Sequence, residues 1–137
     1  MAAILDVSFL VAAADVSDIN HEAARAWLRR VDEPLLVCAL TLGEADLVLQ
    51  GALGQAPTLA LLESLRHAQL RVVAPGDADL ARAADLLVEH AEHRPRLADA
   101  LLVAAAERLG VSRIATFDRR PVTVLRSAGR RTIVLEP

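Results

Sequence analysis

The sequence predicts an α/β domain in which a mainly parallel sheet of about five strands lies between two layers of helices. Short apolar runs without polar alternation, which are typical of strands buried on both faces, alternate with segments whose apolar residues recur at helical spacing. A length of 137 residues fits one domain, and a hydrophobic content of 54% excludes a disordered chain. We therefore expect residues 1–137 to form a single domain with a three-layer α/β/α architecture.

The first half of the chain contains two predicted strands, each followed by predicted helices. Buried strands are predicted at 2–5 and 35–39, a short helical turn at 8–14, and helices at 21–31, 41–51 and 57–67. Asn20 is a favourable N-cap for the helix at 21–31. Thr41 and Glu44 form the T-x-x-E pattern of a capping box, which predicts the start of the helix after the second strand.

The second half of the chain repeats this alternation. Strands are predicted at 70–74, 112–115 and 132–135, and helices at 78–92, 97–109 and 121–128. Pro75 ends the strand before it, Asp77 is placed to cap the next helix, and Gly110 closes the helix at 97–109. Because parallel sheets of this kind bind ligands at the carboxyl ends of their strands, we expect the functional residues there.

The composition excludes several classes of chemistry. All 15 basic residues are Arg, so neither a Walker A phosphate loop nor a Schiff-base lysine is available. Cys38 is the only cysteine, which excludes an intramolecular disulfide framework and a CxxC zinc or redox motif. A net charge of −3 argues against binding nucleic acid through bulk positive charge, but it leaves a local basic patch open.

Neither a signal peptide nor a membrane span is predicted. The chain does not open with a basic segment followed by an apolar one, and its apolar runs are far shorter than the roughly 20 residues that a span needs. We therefore expect a cytoplasmic protein without a membrane partner.

Four carboxylates stand where predicted strands end and helices begin. Asp6 ends the first strand, and Glu44 lies in the first turn of the helix after the second strand. Asp99 lies in the first turn of the helix before the fourth strand, and Asp118 follows that strand. Carboxylates that meet at one edge repel one another and stay ionised only when cations neutralise them. Hard oxygen ligands suit Mg²⁺ or Mn²⁺, and such a metal can activate water for phosphodiester cleavage.

Each carboxylate also has a structural interpretation, and the residues alone leave both open. Asp6 is also interpretable as a strand-end turn residue, and Glu44 as half of the capping box. Asp99 is favourable near the positive end of a helix, and Asp118 in TFDRR is compatible with an ordinary turn. The case for a metal site depends on all four residues falling at the same edge in order.

The ordered motifs of the whole chain resemble those of the PIN domain family, and most closely those of the VapC toxins of bacterial toxin–antitoxin pairs. The matching segments are ILDVSFL with Asp6 and Ser8, TLGE with Thr41 and Glu44, LADALLVAAA with Asp99, and ATFDRR with Thr116 and Asp118. Each segment alone is a weak signal, whereas the ordered set is fairly specific.

The resemblance implies a metal-dependent endoribonuclease in which acidic residues hold one or two Mg²⁺ or Mn²⁺ ions that activate water. The implied metal ligands and catalytic residues are Asp6, Glu44, Asp99 and Asp118. Ser8, Thr41 and Thr116 are implied as supporting residues, and the hydroxyls at Ser8 and Thr116 are implied to hold a metal-bound water or to orient a carboxylate. The resemblance also implies an RNA substrate, a cognate antitoxin and a homodimer.

Arginines flank the two late carboxylates in the sequence. They are Arg94, Arg96, Arg119 and Arg120. Because Arg binds phosphate in a bidentate manner, we expect these side chains to contact the RNA backbone, with a solvated surface as the alternative. Aromatic residues make up only 2% of the chain, so recognition by base stacking is not expected. The apolar helices at 21–31 and 57–67 are candidate partner surfaces.

Other functions are compatible with parts of the pattern. A receiver domain needs a lysine and paired acidic residues after the first strand, and a haloacid-dehalogenase-like phosphatase needs D-x-D, whereas this chain has Asp6 followed by Val7 and Ser8. A housekeeping PIN-domain RNA-processing nuclease and a catalytically idle PIN-fold scaffold remain as alternatives. The motifs do not specify the target RNA, which depends on surface loops and groove shape.

Overall fold

Five strands form the central sheet of the protein in its computed structural model, which describes residues 2–120 and 134–137. The strands are β1 (Ala3–Leu5), β2 (Leu35–Cys38), β3 (Leu70–Val73), β4 (Arg113–Ala115) and β5 (Val134–Glu136). They lie in the order β3-β2-β1-β4-β5, and every neighbouring pair is parallel. The predicted α/β architecture with its parallel sheet is confirmed.

Helices connect the strands and cover the sheet. They are α1 (Val7–Ala14), α2 (His21–Arg30), α3 (Ala39–Leu53), α4 (Ala56–His67), α5 (Asp77–Glu89) and α6 (Leu97–Leu109). A 3₁₀ turn at Ala91–His93 follows α5, where a helix to residue 92 was predicted. The helix predicted at 121–128 and the start of the strand predicted at 132–135 lie outside the described residues. No helix in the described part of the chain is long and apolar enough to cross a membrane.

Alternate residues of the central strands point to opposite faces of the sheet and build two apolar cores. Ile4 of β1 lies in register with Leu36 of β2 and Ile114 of β4, and these three residues pack with α5 and α6. Leu5 and Val37, at the next positions of their strands, pack with α1, α2, α3 and α4. Both faces of the sheet are therefore covered, as the three-layer prediction requires.

The predicted capping box is wrong. Strand β2 passes directly into α3, so the helix already begins at Ala39 with Cys38 at the N-cap position, and Thr41 lies inside the first turn. The N-cap position predicted for Asn20 is correct, but its side chain makes no capping hydrogen bond. Glu44, which was predicted in the first turn of the helix, lies beyond that turn and has no capping role.

The cap predicted for α5 is also different. Asp77 is the first helical residue, and the side chain that receives the Gly76 N–H is Asp79, at 2.9 Å. Asp79 is 1% exposed, and it also accepts the Arg108 Nε–H of α6 at 2.8 Å. This hydrogen-bonded pair lowers the pKa of Asp79 and ties the start of α5 to the end of α6.

Asp79→Ala should lower the free energy of unfolding by about 2 kcal/mol. This loss is smaller than the loss expected on breaking a fully buried ion pair, because Arg108 is partly exposed to solvent. The pKa of Asp79 is lower in the folded protein than in the unfolded chain. The stabilisation is therefore fully present above the ordinary pKa of an Asp carboxyl, and it is lost as the pH falls through the lowered pKa of the folded protein. Chemical denaturation at pH 7 and pH 3 measures both effects. Asp77→Ala is the matched control, and an equal loss in both variants would contradict the assignment of the cap.

Candidate active site

The four carboxylates predicted as metal ligands come from four separate elements. Asp6 follows β1 and is the N-cap of α1, Glu44 lies in α3, Asp99 lies in the first turn of α6, and Asp118 follows β4. The charges of the other three carboxylates all act on the Asp99 carboxyl. The structure therefore brings the other three side chains within electrostatic range of Asp99, at one edge of the sheet.

Asp6 is buried and held by hydrogen bonds on both carboxylate oxygens. The Ser8 hydroxyl donates to Oδ1 at 2.7 Å, the Phe9 N–H donates to Oδ1 at 2.9 Å, and the Thr116 hydroxyl donates to Oδ2. Burial is the largest influence and raises the pKa of Asp6, although these three hydrogen bonds lower it and the Asp118 charge raises it. Sequence reasoning missed that Asp6 caps α1, which the preference of Asp for N-cap positions signals.

Ser8 links Asp6 to the loop that carries Asp118. Its hydroxyl oxygen accepts the N–H of Phe117 at 2.9 Å and the N–H of Asp118 at 3.1 Å, while its proton goes to Asp6. The Thr116 hydroxyl also accepts the Asp118 N–H, at 3.1 Å. The D-x-S and T-x-D segments therefore form one hydrogen-bonded unit that sets the position of Asp118 relative to Asp6.

Ser8→Ala should lower the free energy of unfolding by about 1 kcal/mol, because the partly buried N–H of Phe117 loses its side-chain acceptor while the N–H of Asp118 keeps only the Thr116 hydroxyl. Thermal or chemical denaturation measures the change. Ser17→Ala is a matched control, since it removes an exposed hydroxyl that also donates to an Asp two residues earlier. If both variants lose the same stability, Ser8 does not hold the loop in the way described.

Asp99 carries the most perturbed carboxyl of this edge. Its pKa is raised to about 6, mainly by burial and also by the charges of Asp6, Glu44 and Asp118, whereas the charge of Arg96 lowers it. Its Oδ2 atom is buried and has no hydrogen-bond partner among the described residues. A buried carboxylate oxygen without a donor is unfavourable unless a proton or a cation neutralises it.

Glu44 is paired rather than free. Oε2 of Glu44 accepts a hydrogen bond from Nη2 of Arg96 at 3.1 Å, which joins α3 to the start of α6. Arg96 was predicted to contact RNA, and here its guanidinium lies on one of the predicted metal ligands instead. Thr41, one turn before Glu44, is buried, and its Oγ1 has no partner in the described part of the chain.

The chemistry of this edge fits a divalent cation, although the side chains do not stand in a closed coordination shell. Carboxylate oxygens are the ligands that Mg²⁺ and Mn²⁺ prefer, and the unpartnered Oδ2 of Asp99 lies among three further acidic groups. Within 2–120 and 134–137, however, no three His, Cys, Asp or Glu side chains form a group that could hold a metal ion. Movement of at least one side chain, such as Glu44 away from Arg96, is needed to complete such a site.

The other arginines predicted to contact RNA differ in their surroundings. Arg94 is exposed, has a positive φ of 48°, and forms no ion pair with any described residue. Arg119 donates hydrogen bonds to the backbone oxygens of Leu135 at 3.3 Å and Pro137 at 2.7 Å. Its guanidinium therefore binds the C-terminal segment at β5. Arg120 is exposed. Arg94 and Arg120 therefore remain the freest of the four for contact with a phosphate.

An apolar groove of about 930 Å³ lies between α1, α2 and α4, on the face of the sheet opposite α5 and α6. Leu28, Leu61 and Leu65 contribute apolar lining, Arg25 and Arg29 contribute basic groups, and Asp32 and Glu33 contribute acidic groups. The helices predicted at 21–31 and 57–67 as partner surfaces are the ones that form this groove. The sequence did not separate their groove-facing residues from their core-facing ones.

The family model of the PIN domain matches residues 3–126 of this chain. Ribonuclease VapC26 of Mycobacterium tuberculosis is 29% identical over 133 residues, which cover 96% of this chain and 98% of that protein.

Solved structures show the same fold. VapC20 of Mycobacterium tuberculosis, a toxin that cleaves the sarcin-ricin loop, superposes with a TM-score of 0.81 at 20% identity, covering 93% of this chain and 95% of VapC20. VapBC2 of Rickettsia felis, solved with a DNA fragment from its promoter, superposes with a TM-score of 0.71 at 13% identity, covering 99% of this chain and 98% of the matched one. At these identities the superpositions establish the fold.

Proposed function

The chain belongs to the PIN domain family, and on that premise we propose that it is a divalent-metal-dependent endoribonuclease and the toxin of a toxin–antitoxin pair. The observation that carries this proposal is the convergence of Asp6, Glu44, Asp99 and Asp118 from four elements onto one edge of the sheet. The likeness to Ribonuclease VapC26 supports the choice of RNA as the substrate.

In this mechanism the four carboxylates would hold one or two Mg²⁺ or Mn²⁺ ions. Bound metal supplies charge stabilisation to the phosphodiester in its transition state and favours the ionisation of water. Asp6 contributes a carboxylate whose orientation is fixed by two hydroxyls and one N–H group. Ser8 and Thr116 set the position of Asp118 through its backbone, as supporting residues do around a metal ligand.

Apolar side chains pack beneath the carboxylates at this edge of the sheet and exclude water there. Phe9 is fully buried in α1, and its ring stacks on that of Phe117 with centroids 5.7 Å apart. Phe117 lies between the two polar residues of the T-x-D segment, so the stack anchors that segment to the core. Exclusion of water below the carboxylates strengthens their electrostatic interactions with bound charge.

Incubation of the purified protein with single-stranded RNA or a tRNA stem–loop tests this proposal. Cleavage should appear with Mn²⁺ or Mg²⁺, stop when EDTA removes the metal, and return when the metal is restored. Asp6→Ala should abolish cleavage, while Asp32→Ala, which removes a carboxyl elsewhere, should not. Metal-independent cleavage, or cutting by Asp6→Ala at the wild-type rate, would contradict the assignment of the site. Binding of Mn²⁺ without any RNA cleavage would instead favour an idle scaffold.

We further propose that the apolar groove between α1, α2 and α4 receives a segment of the antitoxin. The groove combines half-buried leucines such as Leu28 and Leu65 with charged side chains of both signs, which suits an amphipathic segment whose apolar face lies on the leucines. Structures of VapBC and FitAB complexes lie among the solved structures that share this fold. A small neighbouring gene whose product inhibits cleavage would support this partner, and its absence would favour a housekeeping RNA-processing nuclease.

A homodimer remains a prediction. Sedimentation of the purified chain at micromolar concentration measures it, with twice the monomer mass of 14.6 kDa as the expected result.

A further inference from the structure

Arg96 occupies an unfavourable place for an arginine. It is the N-cap residue of α6, it makes no capping hydrogen bond, and its charge lies at the end of the helix where the macrodipole is also positive. The stability of the helix therefore does not explain an arginine at this position. Its guanidinium instead extends to α3 and pairs with the Glu44 carboxylate at 3.1 Å.

The pair with Glu44 is open to solvent on the arginine side. The side chain of Arg96 is 64% exposed, whereas that of Glu44 is 21% exposed. An ion pair as exposed as this contributes little to folding, so the guanidinium can leave at small energetic cost. Its charge also offsets the mutual repulsion of the acidic groups around Asp99. Arg96 thus supplies part of the neutralisation that this group of carboxylates needs.

We propose that Arg96 is an exchangeable counter-ion, which binds Glu44 in the metal-free protein and is displaced when a divalent cation takes that carboxylate. The inference rests on the proposed metal-dependent function. It agrees with two features of the edge: Glu44 accepts a hydrogen bond from Arg96, and the described acidic side chains form no group of three that could hold a metal ion. The displaced guanidinium then stands free beside the carboxylates, in a form suited to bidentate binding of an RNA phosphate.

Calorimetric titration of Mn²⁺ into the metal-free full chain tests the exchange without any RNA. Arg96→Gln should bind Mn²⁺ about two- to fivefold more tightly than the wild type, because the metal no longer displaces a competing ion pair. Arg66→Gln is the matched control, since Arg66 also pairs with a glutamate at 3.1 Å and is 75% exposed, but on α4. Arg94→Gln removes an unpaired charge two residues away and should give less than half of the gain.

The outcomes separate the exchange from other roles of Arg96. An unchanged affinity in Arg96→Gln would overturn the exchange, because the metal would then displace no competing ion pair. A weaker affinity would also overturn it, because the guanidinium would then orient Glu44 for the metal. An equal gain in Arg94→Gln would also overturn it, because the local field and not the pair would be responsible. If the wild type binds no Mn²⁺, the proposed function fails and this inference fails with it. Thermal melts of each variant verify that the chain is folded.

Discussion

Asp99→Asn is expected to lower the rate of RNA cleavage by about a hundredfold or more. The substitution keeps the size of the side chain but removes a negative ligand from the proposed metal site, and bound metal is worth several kcal/mol of transition-state stabilisation. Initial rates on one RNA substrate at saturating Mn²⁺ measure the change. Calorimetry on the same variant should show weaker binding of Mn²⁺, which assigns the loss of rate to the metal site.

The same variant should be more stable than the wild type in metal-free buffer at pH 8. Burial and neighbouring carboxylates raise the pKa of Asp99 to about 6 in the folded protein, against 3.8 for an unperturbed Asp. Above pH 6 the folded wild type therefore carries a disfavoured charge, which destabilises it by up to about 3 kcal/mol. Below about pH 3 the carboxyl is mostly protonated in both the folded and unfolded states, so the difference between variant and wild type should largely vanish there.

Chemical denaturation at pH 8 and at pH 3 measures this difference. Asp85→Asn is the matched control, because Asp85 is an exposed aspartate on α5 and its substitution should change stability by less than about 0.5 kcal/mol at either pH. A metal-free Asp99→Asn protein that is less stable than the wild type at pH 8 would show that Asp99 has a structural role. Loss of cleavage would then no longer identify it as a metal ligand.

The fold could be predicted because its strands are buried on both faces. A run such as the AIL of β1 is apolar at every position, and the parallel pairing of β1 with β2 and β4 follows from helices that return the chain to the same edge. Helix starts were predicted less well. The T-x-x-E pattern at Thr41 satisfied a local rule, but β2 continues directly into α3 and the helix starts two residues earlier.

The site could be predicted only as far as strand topology determines it. Asp6 and Asp118 were placed correctly at one edge because each follows a strand, and neighbouring parallel strands end together. The pairing of Arg96 with Glu44 joins residues 52 positions apart, and no local pattern encodes such a contact. The raised pKa of Asp99 likewise depends on burial and on charges from three other elements, which appear only when the chain is folded.

Leu65→Glu is expected to weaken binding of the antitoxin by about thirtyfold or more while the cleavage of free RNA continues. Leu65 is a half-buried lining residue of the groove between α1, α2 and α4, so a charge there would meet the apolar side chains of a docked segment. Removing a central apolar contact of an interface typically costs about 2 kcal/mol or more, and an unpaired charge adds to that loss. Titration of the candidate antitoxin into each variant measures the affinity.

Leu80→Glu separates this effect from a general effect of a new surface charge. Leu80 is 50% exposed on α5, which packs on the other face of the sheet, so its substitution should leave the affinity for the antitoxin within about twofold. Expression of each variant in cells with the antitoxin provides a second readout, since Leu65→Glu should remain toxic where the wild type and Leu80→Glu are neutralised. Equal neutralisation of all three proteins would mean that the antitoxin binds elsewhere, and the groove would then need a different occupant.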